Sequence, residues 1–396
     1  MAINYLGLYV HIPFCASKCG YCDFYSVKAT PKTHEAYVEA LIKQMKEYGS
    51  AAKDYLIDSV FIGGGTPTHI GADLLLKLIK NIKGVFSLAG SCEFTVETNP
   101  AEIDLKGLRQ LYKAGANRLS IGLQSAHEKE LRLLSRGHTY NDFSECYDNA
   151  EAAGFKNINV DVMYGIPGQT PKSFYETLKK AAQKKPAHIS AYGLKIAPGT
   201  PFFKNYEKLQ TMLPSEEDER AMYFMCSELL GRGGYDHYEI SNFAKSGCEC
   251  RHNLKYWKCE QYLGFGPGAH SYFSNCRYSF KKDLREYVKN FNYNGSGLQK
   301  LDIFDLEKYN LFDERTEIKP SERVGEYIML GLRLKSGIDK SKFAKLFYMD
   351  FDAMYLSKIE PFLESGHIVK TEAGYAFSVE GMFVSNYILG KIVDFE

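Results

Sequence analysis

The sequence predicts an α/β fold: a partial (β/α)6 barrel followed by a small mixed C-terminal domain. Three observations predict it. About the first 200 of the 396 residues alternate six times between a short β-rich run and a helical stretch, chemically active residues recur where those runs end, and the alternation stops near Met212. A closed barrel of this class has eight such units, so six indicate an incomplete barrel. An open doubly wound sheet is the alternative.

Six short β-rich runs are the candidate strands, and helical stretches separate them, which predicts parallel pairing through right-handed crossovers. The runs are Leu8–Phe14, Ser59–Ile62, Glu93–Glu97, Arg118–Leu123, Asn157–Tyr164 and His188–Leu194. In either fold the functional groups lie at the carboxyl ends of the strands. The residues found there are Cys15, Gly63–Gly65, Glu97, Asn99, Gln124, Asp161, Tyr164 and Tyr192.

The second half of the chain has a different pattern. The stretch Tyr235–Tyr278 is rich in Tyr, His, Asn and Gly, and we predict that it is irregular and surface-exposed. Residues 292–315 are polar and are expected to form a linker. From residue 320 onward, helical patterns precede a short hairpin, an order that resembles a winged-helix unit. The predicted division is a barrel over 1–235, a connecting region over 236–315 and a C-terminal domain over 316–396.

Composition narrows the classes of function. With 49 Lys and Arg against 48 Asp and Glu, the net charge of +1 argues against a protein that coats nucleic acid. We find no run of about 18 apolar residues that could span a membrane. The N-terminus lacks the features of a secretory signal, so we expect a cytoplasmic protein whose 10 cysteines are reduced. Such cysteines are metal ligands, reactive groups or core residues rather than a disulfide framework.

Cys15, Cys19 and Cys22 directly follow the first predicted strand and fall within eight residues. Three thiolates at this spacing can hold one metal centre. A tetrahedral zinc site requires a fourth ligand, which would have to be distant here. A [4Fe–4S] cluster held by three thiolates leaves one iron open for a ligand, so we favour the cluster over zinc and over structural cysteines.

The same segment carries a family resemblance. C-x3-C-x2-C after the first strand is followed by GGGTP at 63–67, VETNP at 96–100 and RLSIGLQS at 118–125, and in this order the motifs resemble those of the radical S-adenosylmethionine (SAM) enzymes. The resemblance implies a [4Fe–4S] cluster on the three cysteines, with SAM bound to its open iron. It implies that Arg136 counters the SAM carboxylate, that Asp161 accepts from ribose hydroxyls and that Glu97 contacts the ribose or the amino group. The implied SAM-binding residues are Tyr9, Tyr21, Gly64, Gly65, Thr66, Glu97, Gln124, Arg136 and Asp161.

Within that superfamily, LYVHIPFCASKCGYCDFYS at 8–26 and GIPGQT at 165–170 resemble the oxygen-independent coproporphyrinogen III oxidase-like family, over nearly the whole chain. The true oxidases carry a further cysteine two positions after the third, where this chain has Phe24. The difference argues against decarboxylase activity.

A second motif resembles the haem chaperone branch of that family. Residues 252–257 read H-N-x-x-Y-W and contain the only Trp of the chain. The resemblance implies that His252, Tyr256 and Trp257 bind haem, and that Arg251 and Lys255 pair with its propionates. It further implies delivery of haem to acceptor proteins, with respiratory and membrane-associated acceptors expected, and a homodimer.

Three functions stay open on the sequence alone. The first is a haem chaperone with a cluster and SAM, the second is an oxygen-independent coproporphyrinogen III oxidase, and the third is a haem-independent radical SAM enzyme. The cysteines Cys248, Cys250 and Cys259 have poor spacing for zinc, and an axial thiolate role for Cys250 is a minor alternative.

Overall fold

The computed structural model of the chain describes residues 4–292 and 311–393. The strands are β1 (Asn4–Ile12), β2 (Tyr55–Gly64), β3 (Leu88–Thr98), β4 (Arg118–Gln124), β5 (Asn157–Tyr164), β6 (His188–Gly193), β7 (Asp236–Glu239), β8 (Asn242–Ala244), β9 (Tyr262–Phe265), β10 (His270–Phe273), β11 (Cys276–Phe280), β12 (Phe312–Glu317), β13 (Ile338–Asp339), β14 (Ile368–Lys370) and β15 (Gly374–Phe377).

The α-helices accompany these strands, with short 3-10 turns at Pro67–Ile70 and Gln210–Met212. They are α1 (Pro31–Tyr48), α2 (Ala72–Val85), α3 (Leu105–Ala114), α4 (Glu128–Leu133), α5 (Tyr140–Ala153), α6 (Pro171–Gln183), α7 (Pro201–Lys204), α8 (Tyr206–Leu209), α9 (Glu216–Arg232), α10 (Arg251–Trp257), α11 (Leu284–Asn292), α12 (Pro320–Gly331), α13 (Lys340–Phe347), α14 (Phe351–Glu364), α15 (Val379–Phe383) and α16 (Ser385–Ile392).

The strands β1 to β6 pair in sequence order, each parallel to the next. The helices between them bury apolar stripes against the sheet, as Leu75, Leu78 and Ile82 of α2 do. The predicted partial (β/α)6 barrel is therefore confirmed. The observed strands β2, β3 and β4 are longer than predicted, and β5 has the predicted bounds. Strand β1 begins four residues earlier and ends two residues earlier than predicted, and β6 ends one residue earlier.

Local sequence sets the helix ends next to the sheet. Thr139 and Thr170 each cap a helix by accepting a hydrogen bond from the third helical amide, and the side chain at that third position returns a bond to the cap. Such capping boxes satisfy amides that a helix start leaves free. Helices α5 and α6 therefore begin at fixed residues.

The prediction of an irregular, exposed stretch over Tyr235–Tyr278 is wrong. This stretch forms β7 to β11 and α10, and its strands extend the barrel sheet on both sides, in the order β12-β11-β10-β9-β1-β2-β3-β4-β5-β6-β8-β7. Strand β9 runs parallel to β1, and β8 runs antiparallel to β6. The sheet thus continues across the predicted boundary at 235/236. Most of the expected linker at 292–315 lies outside the described residues, and β12 begins at Phe312.

The C-terminal region has the predicted order of helices followed by a hairpin. Helices α12, α13 and α14 precede the β14–β15 hairpin, and β13 pairs with β15. The region has its own apolar core, which includes Ile328, Phe343 and Ile359. It joins the barrel where the amide of Lys335 donates to the carbonyl of Tyr238 (3.0 Å). In the described part of the chain, no helix is both long and apolar enough to cross a membrane.

Candidate functional site

The three cysteines lie on the loop between β1 and α1 and line one cavity of about 530 Å³ at the carboxyl ends of the barrel strands. Backbone hydrogen bonds hold this loop: Gly20 donates to the carbonyl of Leu134 and accepts from the amide of Phe202. All three thiols are partly exposed. The loop therefore holds the thiols facing a common space.

The pKa values of two of these thiols lie above their usual range. Burial raises the pKa of Cys22 to about 11, and burial also raises that of Cys15, against the hydrogen bond between its sulfur and the hydroxyl of Thr66 (3.6 Å). Among residues 4–292 and 311–393, no three Cys, His, Asp or Glu side chains converge closely enough to hold a metal ion. The thiols thus share a cavity wall without meeting at one point.

Gly65 brings the chain after β2 close to the cysteine loop. Its amide donates to the carbonyl of Ile12 (2.9 Å), and a Cβ at this position would lie 2.6 Å from the carbonyl oxygen of Phe14 and 3.0 Å from the Cys15 sulfur. Only glycine permits this approach. The neighbouring Gly64 amide donates to a carboxylate oxygen of Glu97 (3.2 Å), which ties β2 to β3 at the rim.

Three carboxylates line the same cavity, those of Asp23, Glu97 and Asp161, and the last two have raised pKa values. Burial, followed by the nearby charge of Asp161, raises the pKa of Glu97 to about 8. Burial also raises the pKa of Asp161, although Asn159 (2.7 Å) and Ser120 (3.3 Å) donate to it. Perturbed carboxylates in a cavity indicate a functional site. Glu97 and Asp161 are partly exposed, so their carboxylates can accept hydrogen bonds from hydroxyl or ammonium groups of a ligand.

Arg136 and Lys195 both line this cavity, and hydrogen bonds hold the guanidinium of Arg136 in place. One Nη donates to the Tyr21 hydroxyl (2.8 Å) and the other to the Asn99 side chain. Within the described residues its buried Nε has no hydrogen-bond partner. A guanidinium with a free donor suits a carboxylate ligand. Gln124, which has a left-handed backbone (φ 65°), accepts from the hydroxyl of Tyr192 (2.6 Å), which lines the same cavity.

This donor set fits a cluster and SAM. Three thiols on one loop supply the sulfur ligands that an iron–sulfur cluster needs. Gly65 lets the chain after β2 pack against the cysteine loop, and Arg136, Glu97 and Asp161 offer complementary groups for a molecule with both a carboxylate and an ammonium group. The predicted residues that line this cavity with the cysteines are Tyr21, Gly64, Gly65, Thr66, Glu97, Gln124, Arg136 and Asp161.

A second cavity of about 530 Å³ adjoins the first. Gly64, Glu97, Phe24, Asp23 and Asn253 line both. Aromatic rings dominate its remaining walls, which also carry His11, His270 and Lys282. These rings belong to Tyr9, Tyr25, Phe61, Tyr256 and Tyr262. We name it the aromatic cavity, and the first the thiol cavity.

His252 lies at the inner wall of the aromatic cavity and is fully buried. Its Nδ1 is 2.9 Å from the Ser59 hydroxyl and its Nε2 is 2.8 Å from the Tyr256 hydroxyl. The rings of Tyr9 and Phe61 lie 6.4 and 5.5 Å from its imidazole. Burial, and then the charge of Lys255, lowers the pKa of His252 to about 3. The imidazole is therefore neutral at physiological pH, with both nitrogens engaged.

The structure contradicts two minor expectations for this motif. Lys255 is not free for a propionate, because it is 2% exposed and pairs with Asp58 (2.8 Å) and Glu260 (3.4 Å). Cys250 is fully buried and donates to the carboxylate of Glu93 (3.6 Å), and burial raises its pKa to about 12. A buried, protonated thiol with this partner is unsuited to be an axial ligand.

Two predicted residues lie away from their predicted neighbours. Tyr9 lines the aromatic cavity rather than the thiol cavity, since its hydroxyl contacts Nδ1 of His11 (3.0 Å). Trp257, at the end of α10, is not among the described residues that line the aromatic cavity. Sequence reasoning also missed wall residues, among them Phe61 and Tyr262. The alternation of β2 could have indicated Phe61, whereas Tyr262 was hidden in the stretch predicted to be irregular.

Comparison with known proteins gives two family matches. Residues 9–181 match the radical SAM superfamily, and residues 318–384 match the HemN C-terminal domain. The heme chaperone HemW of Bacillus subtilis (strain 168) is 34% identical over 388 residues, covering 97% of this chain and 98% of that protein. The heme chaperone HemW of Lactococcus lactis is 31% identical over 385 residues, covering 97% and 96%.

A solved structure shares the fold of the whole chain. Coproporphyrinogen III oxidase (HemN) from Escherichia coli superposes with a TM-score of 0.83 at 24% identity, covering 100% of this chain and 91% of that one. At this identity the likeness concerns the fold alone.

Proposed function

The chain belongs to the HemW family of the radical SAM superfamily, and from that premise we propose that it is a haem chaperone. It binds a [4Fe–4S] cluster and SAM in the thiol cavity, binds haem at the aromatic cavity and delivers haem to acceptor proteins. The observation that carries the proposal is the junction of the two cavities at Glu97 and Gly64. The names of the full-length relatives support it.

In the thiol cavity, Cys15, Cys19 and Cys22 are proposed as the cluster ligands, and Arg136 holds the carboxylate of SAM. When bound, the cluster supplies an open iron for SAM and a source of one electron. Asp161 and Glu97 accept hydrogen bonds from the ribose or the amino group. Burial makes each of these bonds stronger than it would be in water.

At the aromatic cavity we propose that haem contacts His252. Iron binds an unprotonated imidazole nitrogen, and the low pKa of His252 keeps the ring neutral. The hydroxyl of Tyr256 covers Nε2, so this contact requires Tyr256 to release it. The rings of Phe61 and Tyr9 then offer flat apolar area for the macrocycle. For Trp257 the motif is the only support.

Phe24 favours this proposal over the interpretation of the chain as a coproporphyrinogen III oxidase. It occupies the position of the fourth cysteine in the oxidase motif, is 61% exposed and lines both cavities. An exposed phenyl ring there adds apolar wall and no ligand. We propose that the acceptors are respiratory haem proteins, that the chain works in the cytoplasm and that it reaches membranes through those acceptors. The homodimer stays a prediction.

Haem titration tests the proposal. The anaerobically purified protein is titrated with haemin, and we expect a saturable Soret change. His252→Ala is expected to weaken haem affinity at least about tenfold, because the imidazole that would contact the iron is removed. His367→Ala is the matched control, because this histidine is only partly buried, lies on the C-terminal domain and lines neither cavity. Equal haem affinity in wild type and His252→Ala would contradict the assignment. Protoporphyrinogen formed from coproporphyrinogen III, SAM and reductant would favour the oxidase instead.

Iron analysis tests the cluster. Cys19→Ser is expected to lose nearly all cluster iron and the broad brown absorption, because two remaining thiolates are too few to hold the cluster. Cys276→Ser, which replaces a buried cysteine on β11, is expected to keep both. Full iron content in Cys19→Ser would refute the ligand assignment.

A further inference from the structure

We infer that Ser59 and Glu93 are positioning residues for His252. Ser59 accepts a hydrogen bond from Nδ1–H and Glu93 fixes the start of α10, so that Nε2 is the nitrogen that faces iron. The inference rests on the proposed haem role of His252. It concerns two strand residues that lie far from residues 252–257 in the sequence and belong to none of the motifs described above.

Glu93 is a buried carboxylate that holds the first residues of α10. It is 3% exposed, and it accepts hydrogen bonds from the amides of Arg251 (3.0 Å) and His252 (3.1 Å) and from the thiol of Cys250 (3.6 Å). Three donors on one buried carboxylate fix the position of a short helix more firmly than its own hydrogen bonds can. The Cα of His252 is therefore fixed relative to β3.

Strand pairing places Ser59 beside this anchor. Ser59 of β2 pairs with Glu93 of β3 on one side and with Gly7 of β1 on the other. A Cβ on Gly7 would lie 3.2 Å from the Cε1 of His252 and 3.1 Å from the Ser59 oxygen. Gly7, Ser59 and Glu93 therefore form one row across the three strands beneath the imidazole. The missing side chain of Gly7 leaves the space that His252 occupies.

The two hydroxyls on the imidazole decide its tautomer. A neutral imidazole donates from one nitrogen and accepts at the other. The phenol of Tyr256 is a stronger acid than the alcohol of Ser59 and is therefore the better donor. Tyr256 then donates to Nε2, and Ser59 accepts from Nδ1. The lone pair of Nε2 is then on the side of the aromatic cavity, where iron can replace the Tyr256 hydroxyl as its partner.

This arrangement is the usual one for metal-binding histidines, in which the second nitrogen donates to a fixed acceptor. Loss of such a partner commonly costs 10- to 100-fold in affinity. We therefore expect Ser59→Ala to weaken haem binding about tenfold while leaving cluster iron unchanged. Glu93→Gln replaces one acceptor oxygen by a donor and is expected to weaken haem binding by at least as much.

The haem-free protein gives the first test. Nitrogen-15 NMR of histidine-labelled wild type is expected to show His252 neutral and protonated at Nδ1 between pH 5 and 8, and Ser59→Ala to raise the population protonated at Nε2. Ser91→Ala, which removes an exposed hydroxyl from β3, is the control and should leave the tautomer unchanged. An unchanged tautomer in Ser59→Ala overturns the inference.

Haem titration of the same variants gives the second test. Glu93 also faces the buried Arg118, so Glu93→Gln is compared with wild type by thermal unfolding before use, and Ser59→Ala keeps the test decisive if that variant does not fold. If His252→Ala loses haem while Ser59→Ala binds as wild type does, the positioning inference alone is wrong. If His252→Ala binds as tightly as wild type, the proposed haem site is wrong, and the positioning role with it.

Discussion

The thiol cavity and the aromatic cavity share a wall, yet their polar groups are arranged in opposite ways. In the thiol cavity the cysteines, Glu97 and Asp161 are partly exposed, and the Nε of Arg136 has no partner among the described residues. Around His252 the imidazole is fully buried, and each of its ring nitrogens has a hydrogen-bond partner. The first site presents free groups to a ligand, whereas the second has to break an internal hydrogen bond before it can bind one.

The difference predicts where a single substitution costs stability. Lys255→Met removes the cation that pairs with Asp58 beneath α10, and we expect a loss of about 3 kcal/mol in the free energy of unfolding, because a partly buried carboxylate loses its partner. Urea unfolding of the ligand-free protein measures it. Lys258→Met, at an exposed position directly after α10, is the control, with an expected change within about 0.5 kcal/mol.

Equal stability of Lys255→Met and Lys258→Met would show that buried charges do not hold α10. The two cavities would then differ only in how exposed their polar groups are. A loss of cluster iron in Lys255→Met would instead show that the two sites do not behave independently.

The sequence predicted the thiol cavity far better than the aromatic one, for a physical reason. The thiol cavity is formed at the ends of parallel strands, and that rule places Cys15, Gln124 and Asp161 together without knowledge of the tertiary contacts. The aromatic cavity depends on pairing between β1 and β9, which are more than 250 residues apart. Strands of four residues, such as β9, carry too weak a periodicity to be recognised.

The polar contacts around α10 show the same limit. The H-N-x-x-Y-W motif marks His252 as unusual, but nothing in the local sequence indicates that its amide bonds to Glu93 and its imidazole to Ser59. From the sequence Lys255 is expected to be a free cation, whereas in the structure it is buried and forms an ion pair with Asp58. Burial of a charged residue follows from partners elsewhere in the chain, which a local pattern cannot supply.

Two glycines allow the two regions to be perturbed separately. Gly65→Ala places a Cβ 2.6 Å from the carbonyl oxygen of Phe14, in the backbone that carries Cys15, whereas Gly7→Ala places one 2.8 Å from the Cδ of Lys255. Each overpacked site is expected to cost about 2 kcal/mol in the free energy of unfolding. We expect Gly65→Ala to lower cluster iron and Gly7→Ala to shift the His252 tautomer, measured by iron analysis and histidine NMR.

Gly71→Ala serves as the comparison for backbone effects, because its Cβ would meet no atom within 4 Å although its φ is 87°. A loss of cluster iron in Gly7→Ala equal to that in Gly65→Ala would mean that the two cavities are one structural unit. Separate effects would confirm two independently built sites.

The smallest expected effect concerns pH. His11 lines the aromatic cavity, and its Nε2 donates to the carbonyl of Tyr25 (2.8 Å) while Nδ1 faces the Tyr9 hydroxyl (3.0 Å). Burial lowers its pKa from 6.5 to about 4, against the bond to Tyr25, and the charges of Lys282 and His270 lower it further. The unfolded chain therefore binds this proton more tightly, and stability present above pH 6.5 is lost as the pH falls toward 4.

His11→Gln keeps a donor for the Tyr25 carbonyl and cannot take up a proton. Between pH 7.5 and 5.5 we expect wild type to lose about 1 kcal/mol more in the free energy of unfolding than the variant does, measured by urea unfolding at both values. His367→Gln, at a partly exposed position on the C-terminal domain, should leave the pH dependence of wild type unchanged. If His11→Gln and wild type lose stability equally, the imidazole is protonated in the folded protein at pH 5.5, and the inner wall of the aromatic cavity is open to water. The two cavities would then differ in composition rather than in closure, although His252 would still have to lose its hydrogen bond to Tyr256 before it contacts haem.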